Sequence, residues 1–207
     1  MGFDQPRAAM PADFSIPPIA ELALALAWGA GIRVYLVLFL CGIAGRMGWL
    51  ELPGNLSVLA HPLVLGASGF MLMVEFFADK VPWIDSVWDA VHTFIRIPAG
   101  AALVAMMFGD RPDTVMAAMA ILGGAVAAGS HLTKAGARSA INLSPEPFSN
   151  WAASLTEDAA VPAGLWLAIA HPIAFLVLLG AGMLCAVLLL RWLLGGLRAL
   201  LHRLRPR

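Results

Sequence analysis

"DSVWDAVHTFIRIPAG", residues 85–100, decides how this chain folds. At the roughly 100° per residue of an α-helix, Asp85, Asp89, His92 and Arg96 fall on one face. The apolar run that follows, "PAGAALVAMMFG" at 98–109, is too short by itself. A bilayer core of about 30 Å needs roughly 20 helical residues. The run spans only if helix continues back through Pro98 and carries the polar face with it. Otherwise the stretch lies in the interface, with Val87, Trp88, Val91 and Ile95 in lipid and Trp83 and Trp88 at headgroup level.

The rest of the chain makes either choice a membrane one. Its 207 residues are 60% hydrophobic and 13% charged, with a mean hydropathy of +0.83, too apolar for a soluble domain of this size. The formal net charge of zero argues against a nucleic-acid partner and leaves membrane lipids as the first one. Cys41 and Cys185 sit in apolar runs as small packing residues.

Scored by length, the apolar segments lie at about 19–45, 57–78, 98–109, 114–133 and 163–194. They predict an all-α polytopic helix bundle of about five spans plus two interfacial or re-entrant polar helices. The organisation expected is an arm over 1–18, one membrane domain over 19–194 and a basic tail over 195–207. Arg191, Arg198, His202, Arg203, Arg205 and Arg207 have no acid among them, which places the C-terminus in the cytoplasm. Five spans then put Arg46 and Arg111 in inside loops, and leave Lys80, Arg96, Lys134 and Arg138 outside or re-entrant.

Two weak recurrences suggest an internal duplication. "AGIR" at 30–33 returns as "AGAR" at 135–138, and "AHP" at 60–62 returns at 170–172. In the five-span arrangement the matched segments run in opposite directions, as in an inverted repeat. A competing register pairs "WDAVHTFIRIPAG" (88–100) with "WAASLTEDAAVPAG" (151–164) and makes the repeats parallel.

The chemistry-bearing residues form two clusters, each ahead of a Pro-Ala-Gly. The first holds Glu75, Asp79, Lys80, Asp85, Asp89, His92, Thr93 and Arg96. The second holds His131, Lys134, Arg138, Asn142, Ser144, Glu146, Ser149, Asn150, Ser154, Glu157 and Asp158. An ionisable group at membrane depth costs at least about 2.5 kcal/mol on insertion scales, so it tends to face a partner or a water-filled cavity. Asp85, Asp89 and His92 have a spacing that can hold a divalent ion. Arg96, one turn on, would repel a cation and is better read as the partner of Asp89 or His92, so neither metal nor cofactor is expected. Ser130, His131 and Asp158 make a triad only on paper, without a nucleophile elbow. "NLSPEPFSNW" reads as a structured loop in which Ser149 or Asn150 caps the next helix. His61 and His171, each in "AHP", read as satisfied residues at helix starts.

Taken together, "EFFADKVPWIDSVWDAVHTFIR" and "HLTKAGARSAINLSPEPFSNWAASLTED" resemble a family of small bacterial integral-membrane proteins, domain of unknown function forty-one twenty-six. The resemblance runs from about Glu21 to Leu194. It implies a bacterial inner-membrane location and brings no activity. Its pattern falls on the same two clusters, with Trp88, Phe94, Pro145 and Pro147 added.

Three functions follow as expectations. The first is a small transporter or channel, proton-coupled through His92, Asp89, Glu157 and Asp158, with Lys80, Arg96, Lys134 and Arg138 receiving a small solute or anionic headgroup. The second is a membrane-embedded enzyme acting on a lipid phosphate. The third is a non-catalytic subunit or assembly factor of a membrane complex, or a homo-oligomer.

Overall fold

The computed structural model describes residues 18–142 and 147–204, which form six α-helices and one 3₁₀ turn without a strand. The helices are α1 (Pro18–Arg46), α2 (Pro62–Ala78), α3 (Pro82–Met107), α4 (Asp113–Ile141), α5 (Pro147–Ala170) and α6 (Pro172–Leu204), with the 3₁₀ turn at Gly54–Ala60. The expected arm, residues Ser144, Pro145 and Glu146, and Arg205 and Arg207 lie outside the described residues. Five of the six helices open on proline, whose missing N–H costs nothing in a first turn. At α2 the cap comes from His61, whose Nδ1 accepts from the Leu63 amide at 3.2 Å.

Three helices, α1, α3 and α4, carry stretches long and apolar enough to cross a membrane; α2 and the Pro172–Leu188 part of α6 are shorter apolar helices. This is a polytopic membrane helix bundle. The first helix is the innermost, with 56% of its most apolar stretch buried against 33% for α3 and 28% for α4.

α1 does not run straight. Arg33 leaves helical geometry (φ −144°, ψ 75°) near its middle. A Cβ built on Gly29 would lie 2.8 Å from the Val37 side chain, whereas eight residues of straight helix separate two positions by about 12 Å. The two arms therefore fold sharply on each other at Arg33. The local cause is "GAGIR": two glycines lower the cost of leaving the helix, and an arginine in an apolar run gains by reaching acids elsewhere. Trp28 and Ile32 of the first arm lie level with Ser130 and Lys134 of α4, so that arm runs parallel to α4. The second arm returns along α2, with Phe39 against Gly69 and Gly42 against Leu59.

α3 continues unbroken through Pro98, so the polar stretch and the short apolar run are one helix. α5 likewise continues through Pro162. The two polar helices expected as separate elements are thus the N-terminal halves of α3 and α5. The apolar segment expected at 163–194 is split at His171 between the end of α5 and the start of α6. The polar run after segment four is also more helical than expected, because α4 reaches Ile141 and carries Lys134 and Arg138.

α3 and α4 pack most intimately, through small residues. A Cβ on Gly123 would meet Val104 Cγ2 at 2.5 Å and the Gly100 carbonyl at 3.0 Å, so only glycine permits this backbone separation. Outward-facing Phe70, Phe77, Phe94 and Leu184 are exposed, as a lipid-facing surface requires.

Helix directions correct one expectation. The first arm of α1 and α4 are parallel, and α2 and α6 both run toward the end of the bundle where α2 turns into α3. The "AGIR"/"AGAR" and "AHP" matches therefore lie on segments of the same direction, not opposed ones. The bend at Arg33 is the reason, because it returns the end of α1 to the side from which α1 began.

Candidate functional site

Four buried cations organise the polar interior, one from α1, one from α3 and two from α4. Arg33, at the tip of the bend, pairs with Asp79 at the end of α2 and reaches Asp158 at 3.0 Å and Glu157 at 3.6 Å on α5. Its Nη2 also donates to Ser154 Oγ at 2.9 Å and to the Ser154 carbonyl at 3.2 Å. Arg96 donates to Glu75 and Asp89, both at 2.6 Å, and to His131 Nδ1 at 3.2 Å. Lys134 sits 3.3 Å from both Asp89 and Glu157 and 3.7 Å from Asp79, and donates to the Ile32 carbonyl at 3.2 Å. Arg138 grips Glu157 with two bonds of 2.8 and 3.1 Å, donates to the Asn150 carbonyl at 3.0 Å and to Asn150 Oδ1, and lies 4.0 Å from Asp85.

Six acids face these four cations: Glu75, Asp79, Asp85, Asp89, Glu157 and Asp158. The formal charge of the group is therefore −2. Glu75 Oε2, Asp79 Oδ1 and Asp89 Oδ2 are buried without a hydrogen-bond partner among the described residues. Buried charge of this kind is held by mutual pairing, and losing one partner leaves the other stranded.

The two histidines play different parts. His131 Nε2 lies 2.7 Å from Thr93 Oγ1, whose own hydrogen goes to the Asp89 carbonyl at 3.0 Å. That pattern assigns the proton to Nε2, and His131 thereby orients Arg96 from behind. His92 stacks on Trp88 (ring centroids 4.0 Å apart), donates from Nδ1 to the Trp88 carbonyl at 2.8 Å and accepts from Tyr35 at 3.1 Å. It is thus held in an aromatic pocket beside the network and is not the partner of Arg96.

Lys80, in the turn between α2 and α3, lies apart. Its ammonium stands 3.0 Å over the Phe76 ring and bonds the Phe76 carbonyl at 3.1 Å. Desolvation lowers its pKa below the ordinary lysine value, against the opposing pull of Asp158. The same turn meets the start of α5 through a bond from Trp151 Nε1 to the Lys80 carbonyl at 3.3 Å. Asn142 closes this end, donating to Asp85 and Ser86 at 3.0 Å.

The two polar stretches therefore share cations: the Lys134 ammonium alone touches Asp89 of α3 and Glu157 of α5. Their registers also agree. Counted from the opening prolines Pro82 and Pro147, Asp85, Asp89, His92 and Arg96 occupy the same helical positions as Asn150, Ser154, Glu157 and Val161. Asn150 is not a helix cap as expected. It lies inside the first turns of α5, because that helix already opens at Pro147, and it serves Arg138 instead. Glu146 lies outside the described residues.

Other arrangements considered from sequence do not assemble. Asp89 is taken by Arg96 and His92 by Trp88 and Tyr35, so the Asp85, Asp89, His92 set does not converge on one point. No group of three metal-ligating side chains occurs among the described residues. Ser130 donates to the Trp28 and Ala127 carbonyls and Asp158 pairs with Arg33, so they form no triad with His131. Arg33 is the main residue that sequence reasoning left out of the site; its signal was the "AGIR"/"AGAR" recurrence, which puts Arg33 and Arg138 on the same acids. Tyr35 was also missed, whereas Ser154, counted in the second cluster, accepts from Arg33.

A cleft of about 370 Å³ between α1, α4, α5 and α6 reaches this network from the side. Trp28, Ile32, Leu178, Leu179 and Met183 line its apolar walls, and Lys134 and Glu157 lie at its polar end with Ser130, Thr133 and Thr156. Glu157 and Asp158 are the most accessible acids of the network, with side chains 15% and 23% exposed.

No curated protein and no solved structure matches the chain at a significant level. The family model described as Domain of unknown function (DUF4126) matches residues 20–192, which takes in every element of the buried network. The chain belongs to this family.

Proposed function

We propose that the protein is a small proton-coupled membrane transporter whose translocation centre is the buried network around Arg33. The observation that carries this reading is the break in α1. A helix folded back on itself in the interior of a bundle, its tip charged and its freed carbonyls taken up by neighbours, is the arrangement in which transporters build ion and solute sites. Here Ser130 and Lys134 take up the Trp28 and Ile32 carbonyls, and acids of α2 and α5 receive Arg33.

The network supplies a coupling step. With two more acids than cations, it favours taking up protons or positive charge. Glu157 links α5 to α4 through both Arg138 and Lys134. A proton on Glu157 weakens those links, loosens α5 from α4 and widens the cleft that the two helices border; loss of the proton draws them together again. Of the cations expected to receive an anion, Arg96, Lys134 and Arg138 are already engaged by carboxylates, so a free anion has to compete with built-in ones there, and Lys80 stands apart over Phe76.

With the basic tail taken as cytoplasmic, the helix directions reverse the sides expected from sequence: the α2–α3 turn and Lys80 face the cytoplasm, and Arg46 and Arg111 the other side. Loading proteoliposomes with a pH-sensitive dye tests the function. A gradient of a transported solute should move protons in the wild type and not in Glu157→Gln. Absence of solute-driven proton movement across amines, carboxylates and neutral polar solutes would refute it and favour a structural subunit.

A further inference from the structure

We infer that the cleft between α4, α5 and α6 binds a small amphiphile carrying a primary ammonium, and that this is the solute exchanged against protons; the second half of this statement rests on the transport reading. The argument begins with hydrogens. Thr133 Oγ1 gives its hydrogen to the Gly129 carbonyl at 2.8 Å, Thr156 to Ala152 at 2.8 Å and Ser130 to Trp28 at 2.9 Å. Lys134 spends its donors on Ile32, Asp89 and Glu157. Apart from the indole N–H of Trp28 and the Lys134 ammonium, whose donors are spent, the polar lining offers hydroxyl lone pairs, together with the Glu157 carboxylate that Arg138, Lys134 and Arg33 already hold. A ligand that brings its own N–H donors satisfies them, and one that brings only acceptors does not.

Charge and shape agree with this. The network behind the cleft carries a formal −2, and Glu157, one of its two accessible acids, stands at the cleft's polar end beside Lys134. Trp28 lines the cleft, where an indole ring favours a cation, and Ile32, Leu178, Leu179 and Met183 supply aliphatic wall. A volume of about 370 Å³ suits a molecule of a dozen or so heavy atoms. An ammonium entering at Glu157 takes the place of part of the pull of Arg138, Lys134 and Arg33 on that carboxylate, and it competes there with a proton.

The test measures binding alone, by calorimetry on the full chain in nanodiscs of phosphatidylcholine. The probes are phenethylammonium, its trimethylated analogue and phenylpropionate. Phenethylammonium should bind at least about tenfold more tightly than either other probe, the factor expected for hydrogen bonds to a charged group. Thr156→Val should weaken it several-fold. Gly182→Phe should abolish it, because a Cβ on Gly182 meets nothing within 4 Å, so the variant keeps its fold while the ring fills the cleft. Equal or tighter binding of phenylpropionate, or binding indifferent to Gly182→Phe, overturns the inference. Competition by added phosphatidylethanolamine assigns the site to a lipid amine and overturns the free-solute assignment; indifference to that lipid supports it. Selective binding without proton flux would refute transport and leave the binding site standing, whereas flux with unselective binding would do the reverse.

Discussion

Replacing Arg96 by methionine removes one of the four buried cations while keeping most of its volume. Among the described residues, Glu75 then loses its one ion-pair partner at 2.6 Å, with its other oxygen already unbonded, and Asp89 keeps Lys134 at 3.3 Å. Arg96 and Glu75 both have 0% side-chain exposure, so water cannot take over. Breaking such a pair typically costs about 3–5 kcal/mol. At about 2–4 °C per kcal/mol for a chain of this size, the melting temperature in detergent should fall by roughly 6–20 °C. The double variant Arg96→Met/Glu75→Gln removes the stranded charge and should recover more than half of that loss. Tryptophan fluorescence during thermal unfolding reads both. If the double variant is as unstable as Arg96→Met alone, the stranded carboxylate is not the cause and the ion-pair account of the interior fails.

Gly31→Ala should destabilise by about 1–3 kcal/mol, because its Cβ would run into the Ala127 carbonyl and Ser130 Oγ of α4. Gly136→Ala, on the same helix as Ser130 but facing open space, should be neutral or slightly stabilising in the same melt. Tyr35→Phe should cost about 1 kcal/mol, the ordinary value of one hydrogen bond, here the one to His92, and should leave the Trp88 stack in place. Lys80→Ala should change stability by under about 1 kcal/mol, since among the described residues its ammonium forms no ion pair and rests on Phe76, whereas Lys134→Ala should approach the Arg96→Met loss. A Lys80→Ala loss as large as that of Lys134→Ala would show that Lys80 belongs to the network after all.

Much of this site was legible as residues and little of it as geometry. Polar side chains in an apolar chain stand out because each needs a partner or a wet cavity, so Glu75, Asp79, Asp89, Lys134, Arg138 and Glu157 were identifiable one by one. Periodicity placed Asp85, Asp89, His92 and Arg96 on one face. It could not say that His92 turns to Tyr35 and Trp88 while Arg96 turns to Glu75, because rotamers answer to neighbours on other helices. Arg33 was overlooked for a related reason: a single arginine among aliphatic residues reads as an interruption of a span until the chain is seen to fold back there.

Composition and apolar run lengths alone determined that the chain is a helical membrane protein with two polar stretches, because the hydrophobic cost of exposing such runs leaves no other class. Whether helix continued through Pro98 and Pro162, whether α1 crossed or turned back, and which acid took which cation were decided only by tertiary packing. These choices trade one lost backbone bond or one buried charge against contacts with other segments. Those contacts become known only when α1, α2, α3, α4 and α5 are brought to a common centre.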